Sequence, residues 1–254
     1  MRISVVTCTR DSADWLADNI LSVATQNHVD FEQVFVDGGS TDATLALIAK
    51  APHRTVLVEN VVGLSAAMNA GVAAASGEIV MHVHSDDMLA GKDALACIAT
   101  AFDRFGCGWL YGQCRSDFGN GRIEARPAPR WNARRLRTRG NIVPHPAVAM
   151  RRSLFLESGG FDTSLRCCMD YDLWLRLARI GRPVVIEDFI ATFRYHEAGF
   201  SSRYAGVCLR EDRELRLRHA RGALERAIAR ASLWREERRL RRAGQLCDCE
   251  AAGA

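Results

Sequence analysis

The chain has 254 residues, of which 48% are hydrophobic and 25% charged, and its formal net charge is +4. These values are typical of a globular protein with a sizeable core, and they exclude an intrinsically disordered chain. A membrane-spanning helix needs about 18 consecutive apolar residues, and no apolar run in the sequence approaches that length. We therefore expect no membrane-spanning helix.

Strands and helices alternate through the first half of the chain. Residues 15–25 show the pattern clearly, since apolar side chains recur there at helical spacing. The predicted strands are 3–7, 33–36, 55–59 and 79–83, and the predicted helices are 15–25, 42–51, 65–75 and 92–105. This order predicts an α/β fold with a mostly parallel central sheet and helices on both faces.

The second half is less regular. We predict strands at 109–114, 121–124, 147–150, 183–187 and 191–195, helices at 152–158 and 170–180, and a loop at 126–139. Beyond residue 204 the chain is rich in arginine and predicts helix followed by a frayed tail. The simplest division is a catalytic domain at 1–204 and a helical extension at 205–254.

Two predicted strands end in acidic turns. One strand runs into residues 37–42, DGGSTD, and another into residues 84–87, HSDD. Because the carboxyl ends of parallel strands meet at one edge of a sheet, both turns should lie where ligands bind in such folds. Asp86 and Asp87 are costly to place there without a partner, and their hard oxygens suit Mn²⁺ or Mg²⁺. The alternative is a solvated turn with one capping carboxylate.

The turn at residues 37–42 is also a candidate ligand contact. Its glycines let a ligand approach the backbone closely, and Asp37 can accept hydrogen bonds from a base N–H or a ribose hydroxyl. The alternative is a turn residue that caps the next helix. Neither GxGxxG nor GxxxxGK[ST] occurs, so a nucleotide here would be held by metal and side chains.

Two carboxylates begin the predicted helix at 170–180. One of Asp170 and Asp172 can cap the helix, because its dipole favours negative charge at this end. The other can act as a general base that deprotonates an acceptor hydroxyl. His196 ends the last predicted strand and can return to the metal site as a ligand, although a single His such as this or His145 is also typical of a structural position.

The segment 209–243 holds 12 Arg against 6 Asp and Glu, a local net charge of +6. It is compatible with a solvated helix face with i,i+4 ion pairs such as Glu237–Arg241. It is equally the pattern of a helix attracted to an anionic membrane surface. A third interpretation is nucleic-acid binding, which we do not expect.

Cysteine usage indicates the compartment. The nine Cys are odd in number and include no CxxC pair, so they are typical of reduced, small apolar residues rather than of a disulfide framework. The short apolar run at the N-terminus does not resemble a signal peptide. We expect a cytoplasmic protein, either soluble or held at the inner face of the membrane.

Seven short motifs occur in a characteristic order. They are SVVT at 4–7, VDGGSTD at 36–42, GLS at 63–65 with MNAG at 68–71, SGEI at 76–79, SDD at 85–87, GGFD at 159–162 and DYDLWLR at 170–176. Through them the chain, from about residue 2 to residue 202, resembles the family 2 inverting glycosyltransferases of GT-A fold.

The resemblance implies a UDP, GDP or dTDP sugar as donor, Mn²⁺ or Mg²⁺ as cofactor and a glycan or lipid-linked acceptor in bacterial cell-surface polysaccharide or glycolipid synthesis. The implied site residues are Thr7, Thr9 and Asp37 for the nucleoside, Asp86 for the ribose and the metal side, Asp87 for the metal and Asp170 for the catalytic base. Met169 replaces the Glu that often precedes the base, which leaves Asp172 open as an alternative.

Two other functions share these features. A nucleotidyltransferase that makes an activated sugar has a similar layout, but it usually needs a Gly-rich basic loop after the first strand, which residues 7–11 do not resemble. A non-catalytic nucleotide-sugar or glycan binding protein could keep the same fold, because fold alone does not establish activity. The intact carboxylates favour the transferase.

Overall fold

The structure, a computed structural model, describes residues 1–28, 30–196 and 204–246. The strands are β1 (Ile3–Thr9), β2 (Phe31–Asp37), β3 (Thr55–Glu59), β4 (Ile79–His82), β5 (Met88–Leu89), β6 (Trp109–Asp117), β7 (Ile123–Arg126), β8 (Val148–Arg151) and β9 (Val184–Arg194). The α-helices are α1 (Ala13–Ala24), α2 (Thr44–Ile48), α3 (Leu64–Ala74), α4 (Ala94–Phe105), α5 (Ala133–Arg139), α6 (Arg152–Glu157), α7 (Met169–Ile180), α8 (Ala205–His219) and α9 (Gly222–Arg242). The tail predicted beyond residue 246 lies outside the described residues.

The described strands form one mixed sheet in the order β3-β2-β1-β4-β8-β6-β9-β5, with β7 paired to β6. β1 runs parallel to β2 and β4, and β2 runs parallel to β3, so the parallel arrangement predicted for the first half is present. β8 is antiparallel to both β4 and β6, while β9 is parallel to β6. The α/β fold is confirmed, and every antiparallel pair of the described strands includes at least one strand from β6 to β9.

Hydrophobic cores cover both faces of the sheet. Val6 belongs to the cluster that includes residues of α3 and α7, whereas Val5 belongs to the cluster that includes residues of α4. The alternation follows from the strand period of two, which sends successive side chains to opposite faces. On the first face α3 approaches β1 so closely that a Cβ added to Gly71 would lie 2.3 Å from Val6 Cγ1.

Two segments differ from their predictions. The predicted loop at 126–139 contains α5, whose N-cap Asn132 accepts a hydrogen bond from the backbone of Arg135. The helix is stabilised by burial of Leu136 and by an ion pair between Arg137 and Glu225, which lie far apart in the sequence. The two strands predicted at 183–195 are one strand, β9, because irregular register with β6 interrupts the pattern without ending the strand.

The arginine-rich segment packs on the rest of the molecule. Leu215 of α8 is buried in the same cluster as Tyr171 and Trp174 of α7. The predicted pair between Glu237 and Arg241 is present at 3.1 Å, which confirms that part of the solvated-face interpretation. The domain boundary at residue 204 stays a prediction.

Across the described residues, every helix is too short or too polar to cross a bilayer.

Candidate active site

A cleft of about 1490 Å³ opens where β1, β4 and β9 end. It is lined by Thr9 from β1, by Asp86 and Asp87 after β4, by Asp170 at the start of α7 and by His196 after β9. The structure thus brings together most of the predicted site residues, which come from segments far apart in the chain. Each of them lies at an element's end, where side chains are free to face a ligand.

Hydrogen bonds join the loops that follow β1, β2 and β4. The backbone N–H of Asp11 donates to Ser40 Oγ at 2.9 Å, and Asp11 Oδ1 accepts from the backbone of Thr41 at 2.8 Å. Ser85 Oγ donates to Ser12 Oγ at 2.9 Å. The acidic turns are therefore parts of one connected assembly.

Asp37 organises its own turn. Its carboxylate accepts hydrogen bonds from the backbone N–H groups of Gly39 and Ser40, at 2.8 and 2.7 Å, and from Thr9 Oγ1 at 3.0 Å. Burial alone would raise the pKa of Asp37, but these bonds and one from the Ser40 hydroxyl hold the pKa below its usual value. Because Asp37 is buried and already bonded, its contact with a nucleoside stays a prediction.

The two threonines of β1 are placed differently. Thr9 lines the cleft. Thr7 is fully buried, and its hydroxyl accepts a hydrogen bond from Gln33 Nε2 at 2.9 Å. Thr7 is not among the residues that line the cleft, and its contact with a nucleoside stays a prediction.

The second acidic turn ends in the buried carboxylate of Asp87. Asp87 is only 2% exposed, and its Oδ1 accepts a hydrogen bond from the backbone of Arg194 at 3.1 Å. Burial and the neighbouring Asp86 raise the pKa of Asp87 well above its usual value. Asn19 Nδ2 donates to the carbonyls of His84 and Asp87, both at 2.9 Å, and holds the turn in place.

His196 returns to this turn from β9. Its Nε2 lies 2.9 Å from Asp86 Oδ2, its ring packs against Trp15 at 5.1 Å, and its Nδ1 is buried without a partner. His196 lies at the acidic turn as predicted, but its ring nitrogen contacts Asp86 rather than Asp87. Carboxylates and an unsatisfied imidazole fit a divalent cation by donor type. No three His, Cys, Asp or Glu side chains of the described ranges are arranged as a metal cluster, so the ligand roles stay predictions.

Asp170 faces the cleft from the first turn of α7. Its side chain is 19% exposed, Oδ2 accepts a hydrogen bond from Asn141 Nδ2 at 2.9 Å, and Oδ1 accepts one from the backbone of Tyr171 at 2.6 Å. Burial raises the pKa of Asp170 to about 6, with these hydrogen bonds opposing the rise. A carboxylate with such a pKa is well matched to proton abstraction near neutral pH.

Asp172 has a different role. It is buried, and its Oδ2 accepts a hydrogen bond from Arg176 Nε at 2.7 Å. Arg176 also donates to the carbonyls of Ser158 and Gly160, so the pair ties α7 to the turn after α6. Of the two carboxylates left open as the base, only Asp170 lines the cleft.

The structure adds a histidine pair that sequence reasoning did not place at the site. The rings of His84 and His145 stack at 5.3 Å with an interplanar angle of 12°, and both line the cleft. Burial lowers the pKa of each to about 4, so both rings are neutral at pH 7. The signal available in the sequence was the position of His84 in the motif HSDD, next to the acidic pair.

Glu211 of α8 was also missed. Its carboxylate accepts hydrogen bonds from three consecutive backbone N–H groups, those of Arg166, Cys167 and Cys168, at 2.8 to 2.9 Å. These residues lead directly into α7 and Asp170. The helical extension therefore holds the segment that presents the candidate base, which no local pattern around Glu211 could indicate.

The family model described as "Glycosyl transferase family 2" matches residues 4–155. A PGL/p-HBAD biosynthesis glycosyltransferase of Mycobacterium bovis (strain BCG / Pasteur 1173P2) is 30% identical over 208 residues, 77% of either chain. An uncharacterized glycosyltransferase of Mycobacterium tuberculosis (strain ATCC 25618 / H37Rv) is 29% identical over 197 residues, 75% of this chain and 74% of the relative.

Solved structures show the same fold. S. aureus TarS 1-349 in complex with UDP-GlcNAc has a TM-score of 0.71 at 22% identity, over 92% of this chain and 72% of that one. The mannosyltransferase PcManGT from Pyrobaculum calidifontis, in complex with GDP-Man and Mn²⁺, has a TM-score of 0.66 at 20% identity, over 100% of this chain and 76% of that one. These likenesses confirm the GT-A fold.

Proposed function

This chain is a member of glycosyl transferase family 2, and from that premise we propose that it moves a sugar from a nucleotide-diphosphate sugar to an acceptor hydroxyl with inversion at the anomeric carbon. The observation that carries the proposal is that one cleft holds the acidic turn at residues 84–87 together with Asp170. A cation site and a base in one cleft are what such a transfer needs.

The donor occupies the β1 and β4 side of the cleft in this proposal. Thr9 and the turn at residues 37–42 contact the nucleoside, and Asp86 contacts the ribose. Support comes from two structural neighbours, TarS in complex with UDP-GlcNAc and PcManGT in complex with GDP-Man. The nucleoside diphosphate of the donor is UDP, GDP or dTDP, and the test below distinguishes them.

A divalent cation, Mn²⁺ or Mg²⁺, belongs beside the diphosphate. Asp87 and His196 are the residues that we propose to hold it, with Asp86 next to them. When bound, it would neutralise the charge that builds up on the departing nucleoside diphosphate. The raised pKa of Asp87 supports this proposal, because a buried carboxylate beside a second carboxylate favours a cation as partner.

Asp170 is the base. It takes the proton of the acceptor hydroxyl as that oxygen forms a bond to the anomeric carbon. The bond from the anomeric carbon to the diphosphate oxygen breaks on the opposite face, and the nucleoside diphosphate leaves with the bonding electrons. Attack opposite the leaving group inverts the anomeric configuration.

The donor class can be tested by thermal unfolding of the whole chain with UDP, GDP or dTDP, each with and without Mn²⁺. We expect one nucleotide to raise the Tm, and only when Mn²⁺ is present, because the diphosphate and the carboxylates repel each other without it. EDTA serves as the control for metal removal. If no nucleotide raises the Tm under either condition, the donor site is wrong. Pyrophosphate release from a nucleoside triphosphate and a sugar phosphate would instead favour the nucleotidyltransferase.

We also propose a glycan or lipid-linked acceptor and peripheral contact with an anionic membrane through α9. Arg226, Arg230, Trp234 and Arg238 recur every four residues on α9, Trp234 is 56% exposed, and the Arg238 guanidinium lies 4.6 Å from its ring centre. Arginine around an exposed tryptophan is typical of helices that lie in a membrane interface.

This contact can be tested by co-sedimentation with vesicles of phosphatidylcholine alone or with phosphatidylglycerol. We expect binding only to the anionic vesicles, and a loss of that binding in the variant Arg226→Gln, Arg230→Gln, Trp234→Ser. The matched control, Arg104→Gln with Arg182→Gln, removes positive charge elsewhere and should bind as the unmodified chain does. Equal binding by all three proteins would contradict the assignment to α9.

A further inference from the structure

His145 has an unusual environment for a buried histidine. It begins the short turn of 3-10 helix His145–Ala147 that precedes β8. Its side chain is 16% exposed, yet both ring nitrogens are buried and neither has a hydrogen-bond partner in the described structure. Buried polar groups are nearly always paired, so two unpaired nitrogens on one ring call for an explanation.

The candidate base lies close to the ring of His145. His145 Nδ1 lies 3.9 Å from Asp170 Oδ2, the oxygen that already accepts a hydrogen bond from Asn141 at 2.9 Å. A separation of 3.9 Å is too long for a hydrogen bond, and a closure of about 1 Å would make one. Such contacts are often long in the free enzyme and shorten when substrates bind.

Packing determines where the ring of His145 points. His84 stacks on it at 5.3 Å, and the rings of His82, Phe161 and Trp174 lie 5.8 to 6.2 Å away. These four rings hold the plane of the His145 ring, and none of their polar atoms is hydrogen-bonded to its nitrogens. In the neutral form one nitrogen carries a proton and the other a lone pair.

From this arrangement we propose that His145 is a positioning residue for Asp170: its Nδ1–H donates to Asp170 Oδ2 when the cleft is loaded. With Asn141 and His145 both holding Oδ2, the carboxylate cannot rotate, and a lone pair of Oδ1 stays available for the acceptor proton. The role as base rests on the proposed function, whereas the hydrogen bond itself does not.

The amide side chains of Asn and Gln offer matched tests. The amide nitrogen of Asn can occupy the place of Nδ1, and that of Gln the place of Nε2. His145→Phe keeps the ring and removes both nitrogens. The measured reaction is release of nucleoside diphosphate from UDP-GlcNAc and GDP-mannose, with water as the acceptor, so that no natural acceptor has to be known.

We expect His145→Phe to lower kcat by about ten- to a hundredfold, because misplacing a catalytic group by about 1 Å costs a factor of this size. The KM for the donor and the Tm should hardly change. His145→Asn should restore most of the rate and His145→Gln should not. An unchanged kcat in His145→Phe, or rescue by Gln rather than Asn, would overturn the proposal.

A second measurement does not depend on activity. The ¹⁵N spectrum of histidine-labelled protein with UDP and Mn²⁺ reports which ring nitrogen carries the proton, and the spectrum of His145→Phe identifies the His145 signals. We expect the Nδ1–H tautomer, and the Nε2–H tautomer would overturn the proposal. If the Nδ1–H tautomer is found but the unmodified chain releases no nucleotide, the proposed function fails while the hydrogen bond stands.

Discussion

Replacing Asp170 with Asn is expected to reduce turnover by about 10²–10⁴, the usual contribution of a general base. The amide has a single oxygen, so it can accept only one of the two hydrogen bonds that Asn141 and Tyr171 donate to Asp170, and it cannot take a proton. Metal-dependent nucleotide binding should be retained, because the residues proposed to bind the cation and the nucleoside lie on other elements that line the cleft. The measurement is nucleoside diphosphate release, together with the nucleotide-induced rise in Tm.

The pH dependence gives this prediction a second readout. Since burial raises the pKa of Asp170 to about 6, the ionised base is lost as the pH falls through that value, and kcat should fall with it. For stability the sign is opposite: the protonated carboxyl stabilises the fold below its usual pKa, and that contribution is lost as the pH rises through about 6. At pH 7, therefore, Asp170→Asn should not lower the free energy of unfolding.

Asp172→Asn is the matched control. Breaking its pair with Arg176 should lower the free energy of unfolding by about 3 kcal/mol, at the lower end for a buried pair because Arg176 is partly exposed. Turnover per folded molecule should remain, since Asp172 does not line the cleft. Normal turnover in Asp170→Asn would show that Asp170 is not the base. So would a loss of turnover that occurs only in folded Asp172→Asn.

Replacing Asp87 with Asn is expected to abolish the stabilisation that a nucleotide confers in the presence of Mn²⁺. A nucleotide at 100 times its Kd stabilises a folded protein by about 2.7 kcal/mol, and the variant should lose nearly all of this. The physical reason is that a neutral amide binds a divalent cation far more weakly than a carboxylate. Titration of nucleotide at saturating Mn²⁺, followed by Tm, measures the loss.

The stability of the free protein separates this effect from unfolding. Burial and Asp86 raise the pKa of Asp87, so its ionised form is a cost to the fold at neutral pH, and Asp87→Asn should not lower the free energy of unfolding. Asp103→Asn, an exposed carboxylate on α4, controls for the loss of charge. Undiminished Mn²⁺-dependent binding in Asp87→Asn would remove Asp87 from the metal site.

Local patterns predicted much of the fold and part of the site. The alternation of strands and helices from β1 to β4 follows from apolar periodicity, and β2 and β4 run into their acidic turns as expected. Local sequence patterns did not predict elements that are stabilised by residues far away in the sequence. α5 is an arginine-rich helix that depends on Leu136 and on Glu225 of α9, and neither contact is visible in residues 126–139.

By itself, the sequence determined the family, the α/β order of elements and the side chains that can carry chemistry, because these depend on residue type and on spacing along the chain. The tertiary structure alone decided which of those side chains meet. It placed Asp170 at the cleft and Asp172 in a pair with Arg176, brought His196 to Asp86, and stacked His145 on His84 close to Asp170. Such juxtapositions depend on how helices pack across the sheet, and that packing is the sum of many distant contacts rather than a property of any short segment.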